Sequence, residues 1–166
     1  DPEIGEFDSD LPLVLLDTFG EPPTGQFTRA QMVLIDRGES GRTRVTDEPE
    51  LVVRSALEIR GSSSASFPKK QYKLELRDAD GNDLDVPLLD MPAESDWVLF
   101  GGHAIDTSML RNPLMYEISD QMGRYAPRTR FVEVFLNTRG GRLARQDQVG
   151  VYSILEKIKR GPARVA

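Results

Sequence analysis

The sequence contains no cysteine and a single histidine, His103. Without cysteine it has no disulfide, no zinc–thiolate site and no thiol nucleophile. With one histidine, any mechanism or metal site that needs two imidazoles is excluded. Long apolar runs are missing too. None approaches the roughly 20 residues of a membrane-spanning helix, and the longest, Leu11 to Leu16, includes Pro12. The first residues, Asp1-Pro2-Glu3, do not carry the basic-then-apolar pattern of a signal peptide. Aromatic residues make up 7% of the chain, and few lie among the arginines. That is a poor stacking platform for single-stranded nucleic acid, and no nucleic-acid partner is expected. No internal repeat or low-complexity block is present.

What is there suits one folded domain over residues 1–166, with 39% hydrophobic and 29% charged residues. The net charge of −6 is uneven. Residues 1–50 hold 12 acidic and 4 basic residues, and residues 124–166 hold 3 acidic and 10 basic ones. A basic region can serve phosphate or nucleic acid; the plainer reading is a solvated surface that complements the acidic start.

Strands are read at Leu11–Asp17, Phe27–Ile35, Leu51–Arg60, Phe67–Leu76, Trp97–Phe100, Arg130–Leu136 and Val149–Glu156. In the fourth, Lys70, Tyr72, Leu74 and Leu76 share one face, and Lys69, Lys73 and Glu75 the other. Leu88 to Pro92 reads as a short helical turn. Thr107 or Ser108 can cap a helix running towards Met122 and stopping at Gly123, and Pro113 within it fits a restart capped by Asn112. Leu110, Leu114 and Ile118 mark its apolar stripe, with Glu117 on the same side. The order of strands, one main helix, then strands predicts an α+β fold: an antiparallel sheet with the helix packed on one face.

Four segments invite chemistry. Asp78 to Asp85 is rich in carboxylates, which suit calcium; its glycine is misplaced for an EF-hand, and the plainer reading is an Asp-Gly hairpin turn. Lys70 on an apolar strand face needs an anion, and Glu117 supplies one if strand and helix pack together. His103, between a strand and a helix, reads as a loop or capping residue. The loop Gly61-Ser62-Ser63-Ser64-Ala65-Ser66 has no Gly-x-Ser-x-Gly elbow and no histidine base, so it does not suit a serine hydrolase. Its small residues would let backbone N–H groups approach phosphate oxygens.

Eight short segments, in order, carry a resemblance. They are Leu11-Pro12-Leu13-Val14 with Asp17-Thr18; Ile59-Arg60-Gly61-Ser62-Ser63; Phe67-Pro68-Lys69-Lys70-Gln71-Tyr72-Lys73-Leu74; and Asp96-Trp97-Val98-Leu99. The others are Leu110-Arg111-Asn112; Tyr125-Ala126-Pro127-Arg128; Phe131 to Asn137; and Gly150 to Ile158. Together they resemble the CotH kinase family, the spore-coat-protein-H-like atypical protein kinases.

The resemblance implies a kinase-like fold of which this chain is the amino-terminal, ATP-binding small lobe. It also implies ATP, a divalent metal (Mg or Mn), transfer of phosphate to Ser or Thr of a protein substrate, and an extracellular or cell-surface location. Residues Gly61–Ser66, with Arg60 and Ser63, would lie over the phosphates. Lys70 would contact them and pair with Glu117; Lys70 is chosen over Lys69 or Lys73 by strand alternation. Glu156, Lys157 and Ile158 would border the adenine through their backbone, and the basic tail falls where phosphate is expected. No catalytic residue and no metal ligand is assigned in this chain. Nothing in it resembles His-Arg-Asp or Asp-Phe-Gly, and the family's larger lobe is expected beyond Ala166. The loop after Gly61 also departs from the asparagine and aromatic residue frequent in the family. By itself the chain is expected to be inactive. The alternative is a non-catalytic surface or coat-assembly domain on a kinase-like scaffold.

Overall fold

A computed structural model describes residues 2–38, 41–103 and 106–165. In chain order its elements are helix α1 (Pro2–Gly5), strands β1 (Asp8–Ser9), β2 (Leu13–Asp17), β3 (Thr28–Ile35), β4 (Thr43–Arg44) and β5 (Leu51–Arg60). A 3-10 turn (Ser63–Ser66) leads to β6 (Gln71–Arg77), β7 (Val86–Leu88), β8 (Met91–Glu94) and β9 (Asp96–Phe100). Helix α2 (Arg111–Gln121), β10 (Thr129–Asn137), a second 3-10 turn (Arg145–Asp147) and β11 (Gln148–Glu156) complete the chain.

Period-2 alternation dictates the architecture. Along β6, Tyr72, Leu74 and Leu76 are buried, while Gln71, Lys73, Glu75 and Arg77 face outwards. The same pattern in β3 turns Ala30, Met32 and Leu34 inwards. Seven strands in the order β10-β11-β9-β6-β5-β3-β2 close into a barrel. All neighbouring pairs are antiparallel except the seam, where β2 runs parallel to β10 from Leu13 beside Glu133 to Asp17 beside Asn137. The inward faces pack on one another around Trp97, Tyr72, Tyr152, Leu99 and Ile154, so the barrel is filled and not a channel.

One end is plugged by the β7–β8 hairpin, whose Leu88, Leu89 and Met91 join the core. Its two-residue turn, Leu89-Asp90, has φ of 50° and 62°, the geometry of a type I′ turn. This segment is therefore a hairpin, where the sequence suggests a helical turn.

The α+β expectation is overturned. The structure is mostly β, and its sheet closes on itself, so the apolar faces of the strands cover one another and need no helical layer. Helix α2 has no buried residue, and Leu110, Leu114, Met115, Ile118 and Met122 are 41–69% exposed. The stripe expected to pack on the sheet points to solvent. Pro113, Tyr116, Glu117 and Asp120 instead line a narrow cleft of about 70 Å³ against Arg128 and Arg130.

Candidate functional site

Strands β2, β5, β9 and β10 run in the same direction, so the loops that follow them gather at the barrel end opposite the plug. A groove of about 510 Å³ opens there, lined by Ile59, Lys70, Tyr72, Arg139, Asp147 and Val149 among others. The loop after β5 is shaped by Gly61. Its φ is +104°, and a Cβ there would lie 2.0 Å from Ser64 Oγ, so only glycine fits. The following 3-10 turn is tied by Ser66 Oγ, which donates to the Ser63 carbonyl at 2.7 Å.

Lys70 sits just before β6. Its Nζ donates to the Ala65 carbonyl at 2.8 Å, which fastens the ammonium to the serine loop. Its own carbonyl accepts from Tyr152 Oη at 2.9 Å. Tyr152 packs beside Tyr72, with ring centroids 6.4 Å apart. Burial pushes the Tyr72 hydroxyl up to about 12 and raises that of Tyr152 as well. Both stay protonated at neutral pH, and Tyr152 acts as a donor.

Lys69 takes a different direction. Its Nζ donates to the Val151 carbonyl and lies 4.6 Å from the Tyr152 ring centroid. Gly101 makes room, since a Cβ there would press on Tyr152 and on the Lys69 stem at 3.1–3.3 Å. Burial pulls the Lys69 ammonium below its ordinary value, and the nearby Glu133 carboxylate works against that. On the far wall of the groove Arg139 grips Asp147 through Nε and Nη2 at 2.9–3.1 Å, and the Ala144 N–H adds a third tie to that carboxylate.

The six residues singled out from sequence fall in three places. Lys70 lines the mouth and Ser63 lies in the loop it is fastened to, whereas Arg60 ends β5 opposite outward-facing Gln71 and so stands on the outer side of the rim. Glu117 does not join them. It lies on exposed α2, accepts from Gln121 Nε2 at 2.8 Å, and makes no ion pair with Lys70. Glu156 and Ile158 lie at the plugged end. The Glu156 carboxylate has no exposure and is held by Arg128 Nη1 at 2.9 Å, the Arg128 N–H at 3.0 Å, Tyr125 Oη at 3.3 Å and the Arg164 guanidinium. Its backbone N–H donates to the Arg128 carbonyl at 3.2 Å. Ile158 is exposed. Glu156 is four residues along β11 from Tyr152, about 13 Å for an extended strand.

Three of the four cations of the basic tail are spent internally. Lys157 and Lys159 pair with Asp96, at 3.0 and 2.9 Å, and Arg164 with Glu94 and Glu156. At the other carboxylate-rich segment, both Asp78 oxygens accept from its own turn: the N–H groups of Asp80 and Asn82 at 2.9 Å and the Asn82 amide at 3.3 Å. His103 stacks at 5.6 Å from Phe67; Ala104 lies outside the described residues. Sequence reasoning missed Tyr152 and the Arg139–Asp147 pair. The first reads as ordinary strand core, and the second spans a loop with no periodic signal.

The mouth offers cationic and hydroxyl donors of the kind a polyphosphate takes, Lys70 and the serine loop, with Arg60 on the outer side of its rim. Among the described residues no three His, Asp or Glu side chains converge to hold a metal ion, so the divalent ion that a kinase family implies finds no ligand set there. Among them, too, no helix is long and apolar enough to cross a membrane.

No curated protein matches the chain. A family model described as CotH kinase protein matches residues 57–164, which takes in β5 from Leu57, the serine loop, both lysines and every later element. With more than half of its length matched, the chain belongs to the CotH kinase protein family.

Proposed function

We propose that the chain is the nucleotide-holding part of a protein kinase domain that passes phosphate from ATP to Ser or Thr of a protein at a cell or spore surface. One observation carries this reading: Lys70, inside the family-matched stretch, fastened to a glycine-initiated serine loop at an open barrel mouth. The phosphates would lie under Gly61–Ser66, beside Lys70 and Ser63, with Arg60 on the outer side of the rim. Lys70 Nζ exchanges one carbonyl contact for charge-assisted bonds to phosphate oxygens. Glu156 and Ile158, at the plugged end of the filled barrel, do not border this groove, so the base would lie at the mouth and not against their backbone. Glu117 takes no part in orienting Lys70; the Ala65 carbonyl and the Tyr152 hydroxyl do that. Asp147, the carboxylate lining the groove, is neutralised by Arg139, which leaves no free base beside Lys70. The 166-residue chain therefore binds nucleotide without turning it over.

The test is a titration of a fluorescent ATP analogue into the wild type, Lys70→Ala and Lys69→Ala. Losing a charged hydrogen bond worth about 1.5–3 kcal/mol weakens Lys70→Ala by roughly tenfold to 150-fold, with a smaller effect for Lys69→Ala. Equal affinity in the wild type and Lys70→Ala overturns the site. Metal-dependent phosphotransfer by this chain alone overturns its inactivity. The second reading, a non-catalytic coat-assembly domain, draws on the exposed apolar stripe of α2. Absence of nucleotide binding in the wild type would favour it.

A further inference from the structure

A second groove, of about 460 Å³, lies on the outer wall of β3, β5 and β6 and shares no lining residue with the mouth. Arg29, Arg54 and Arg77 line it, with Phe19 and the turn 78–81 at its edge. Register explains the crowding. Arg54 of β5 stands directly opposite Arg77 of β6 and, on its other side, Gln31 of β3. Arg29 is two residues from Gln31 on the same outward face. Like charges directly opposed in an antiparallel pair oppose folding, and the local acids relieve this only in part. Glu75 pairs with Arg77 at 2.7 Å, but the hydrogen bond of Arg54 goes to the Ala79 carbonyl.

Arg29 is exposed and rests 4.8 Å from the Phe19 ring centroid. Phe19 is presented by a left-handed backbone, φ 57°, pinned where its N–H donates to Asp17 Oδ1 at 2.8 Å. Arg77 likewise lies 5.3 Å from the Phe27 ring. Aromatic faces hold two guanidinium planes, leaving their N–H edges available. Two carboxylates line the groove. Asp78 is consumed by its own turn, and Asp80 shares the lining through the turn it occupies.

We propose that this groove is an anion site for a phosphate dianion, free or carried on a side chain. Arg54 and Arg77 would share its oxygens, Arg29 would close one side, and Asp80 would oppose it. A dianion between two opposed guanidiniums removes their mutual repulsion, which neutral ligands and monocations cannot do. The volume exceeds that of a bare phosphate, so the residue carrying it also has room.

The experiment titrates sodium phosphate and, separately, O-phosphoserine into the 166-residue chain, read by calorimetry and by melting temperature. The variants are Arg54→Gln, Asp80→Asn and Lys70→Ala. At least one probe should bind the wild type and raise its melting temperature, and the tighter one tells whether the phosphate is free or carried. Arg54→Gln should weaken binding tenfold or more while melting, without ligand, no lower than the wild type. Asp80→Asn should tighten binding severalfold, and Arg54→Gln should weaken binding in a Lys70→Ala background, where the mouth has lost its phosphate contact, as much as it does in the wild type. The proposal is overturned if neither probe binds at millimolar concentration, or if Arg54→Gln binds as well as the wild type. It is also overturned if Lys70→Ala abolishes binding, which would move the anion to the mouth.

Discussion

Gly61 and Glu156 mark two kinds of constraint at single positions. At Gly61 any Cβ meets the Ser64 hydroxyl and a positive φ at once. Gly61→Ala should therefore cost on the order of 1–3 kcal/mol and also weaken nucleotide binding; a urea midpoint equal to that of the wild type would contradict this. Glu156 is a fully enclosed carboxylate beside an Arg164 guanidinium that is itself 3% exposed. Removing one partner leaves the other charged and buried. Glu156→Ala should lose about 3–5 kcal/mol, measured by denaturant unfolding, and the loss should shrink in the double variant Glu156→Ala, Arg164→Met. Nearby, burial raises the Glu94 and Asp96 carboxyls, but Lys159, with backbone N–H groups at Glu94 and Lys157 at Asp96, outweighs it and holds both below their ordinary values. A depressed folded-state value means stability that is complete above the ordinary carboxylate range and is lost as pH falls through it. The urea midpoint should drop between neutral and acid pH. Lys159→Met should flatten that drop while lowering the neutral plateau.

Helix α2 and its two capping residues carry apolar side chains at positions 110, 114, 118 and 122, one stripe at a spacing of four, and present them to solvent. Leu114→Ala should therefore change the stability of this chain by less than about 0.5 kcal/mol, where a leucine packed on a sheet would lose about 2–5 kcal/mol. Thermal or urea unfolding of that variant separates the two arrangements. The helix also shows what a sequence can and cannot convey. A period of 3.6 identifies a stripe, but nothing in it says whether any other part of the chain covers the stripe. All seven barrel strands were legible, because Tyr72-x-Leu74-x-Leu76 and its counterparts alternate clearly and are bounded by turns. Closure was not, because a strand looks the same whether its apolar face meets a helix or the opposite wall. At the mouth, Lys70 and the serine loop were readable as neighbours, being close along the chain. The partner given to Lys70 was not, since it was inferred from a helix–sheet contact that the barrel makes unnecessary.

The whole molecule depends on its seam. Strands β2 and β3 precede Leu57, where the family match begins, yet they supply two of the seven staves. A polypeptide limited to residues 57–164 would have exposed edges on β5 and β10, and exposed edges recruit other chains. It should be aggregated or unfolded by size-exclusion chromatography and circular dichroism, whereas the 166-residue chain should be soluble and unfold in a single transition. The seam also sets a clock on synthesis. The Thr18 hydroxyl donates to the Asn137 carbonyl, 119 residues later in the chain. At ribosomal speeds of about 5–20 residues per second, β2 and β3 wait on the order of 10 s for the strand that closes the ring. During that interval the growing chain is a half-built barrel with an open flank, and whatever shields that flank shares in deciding how much protein reaches the folded state.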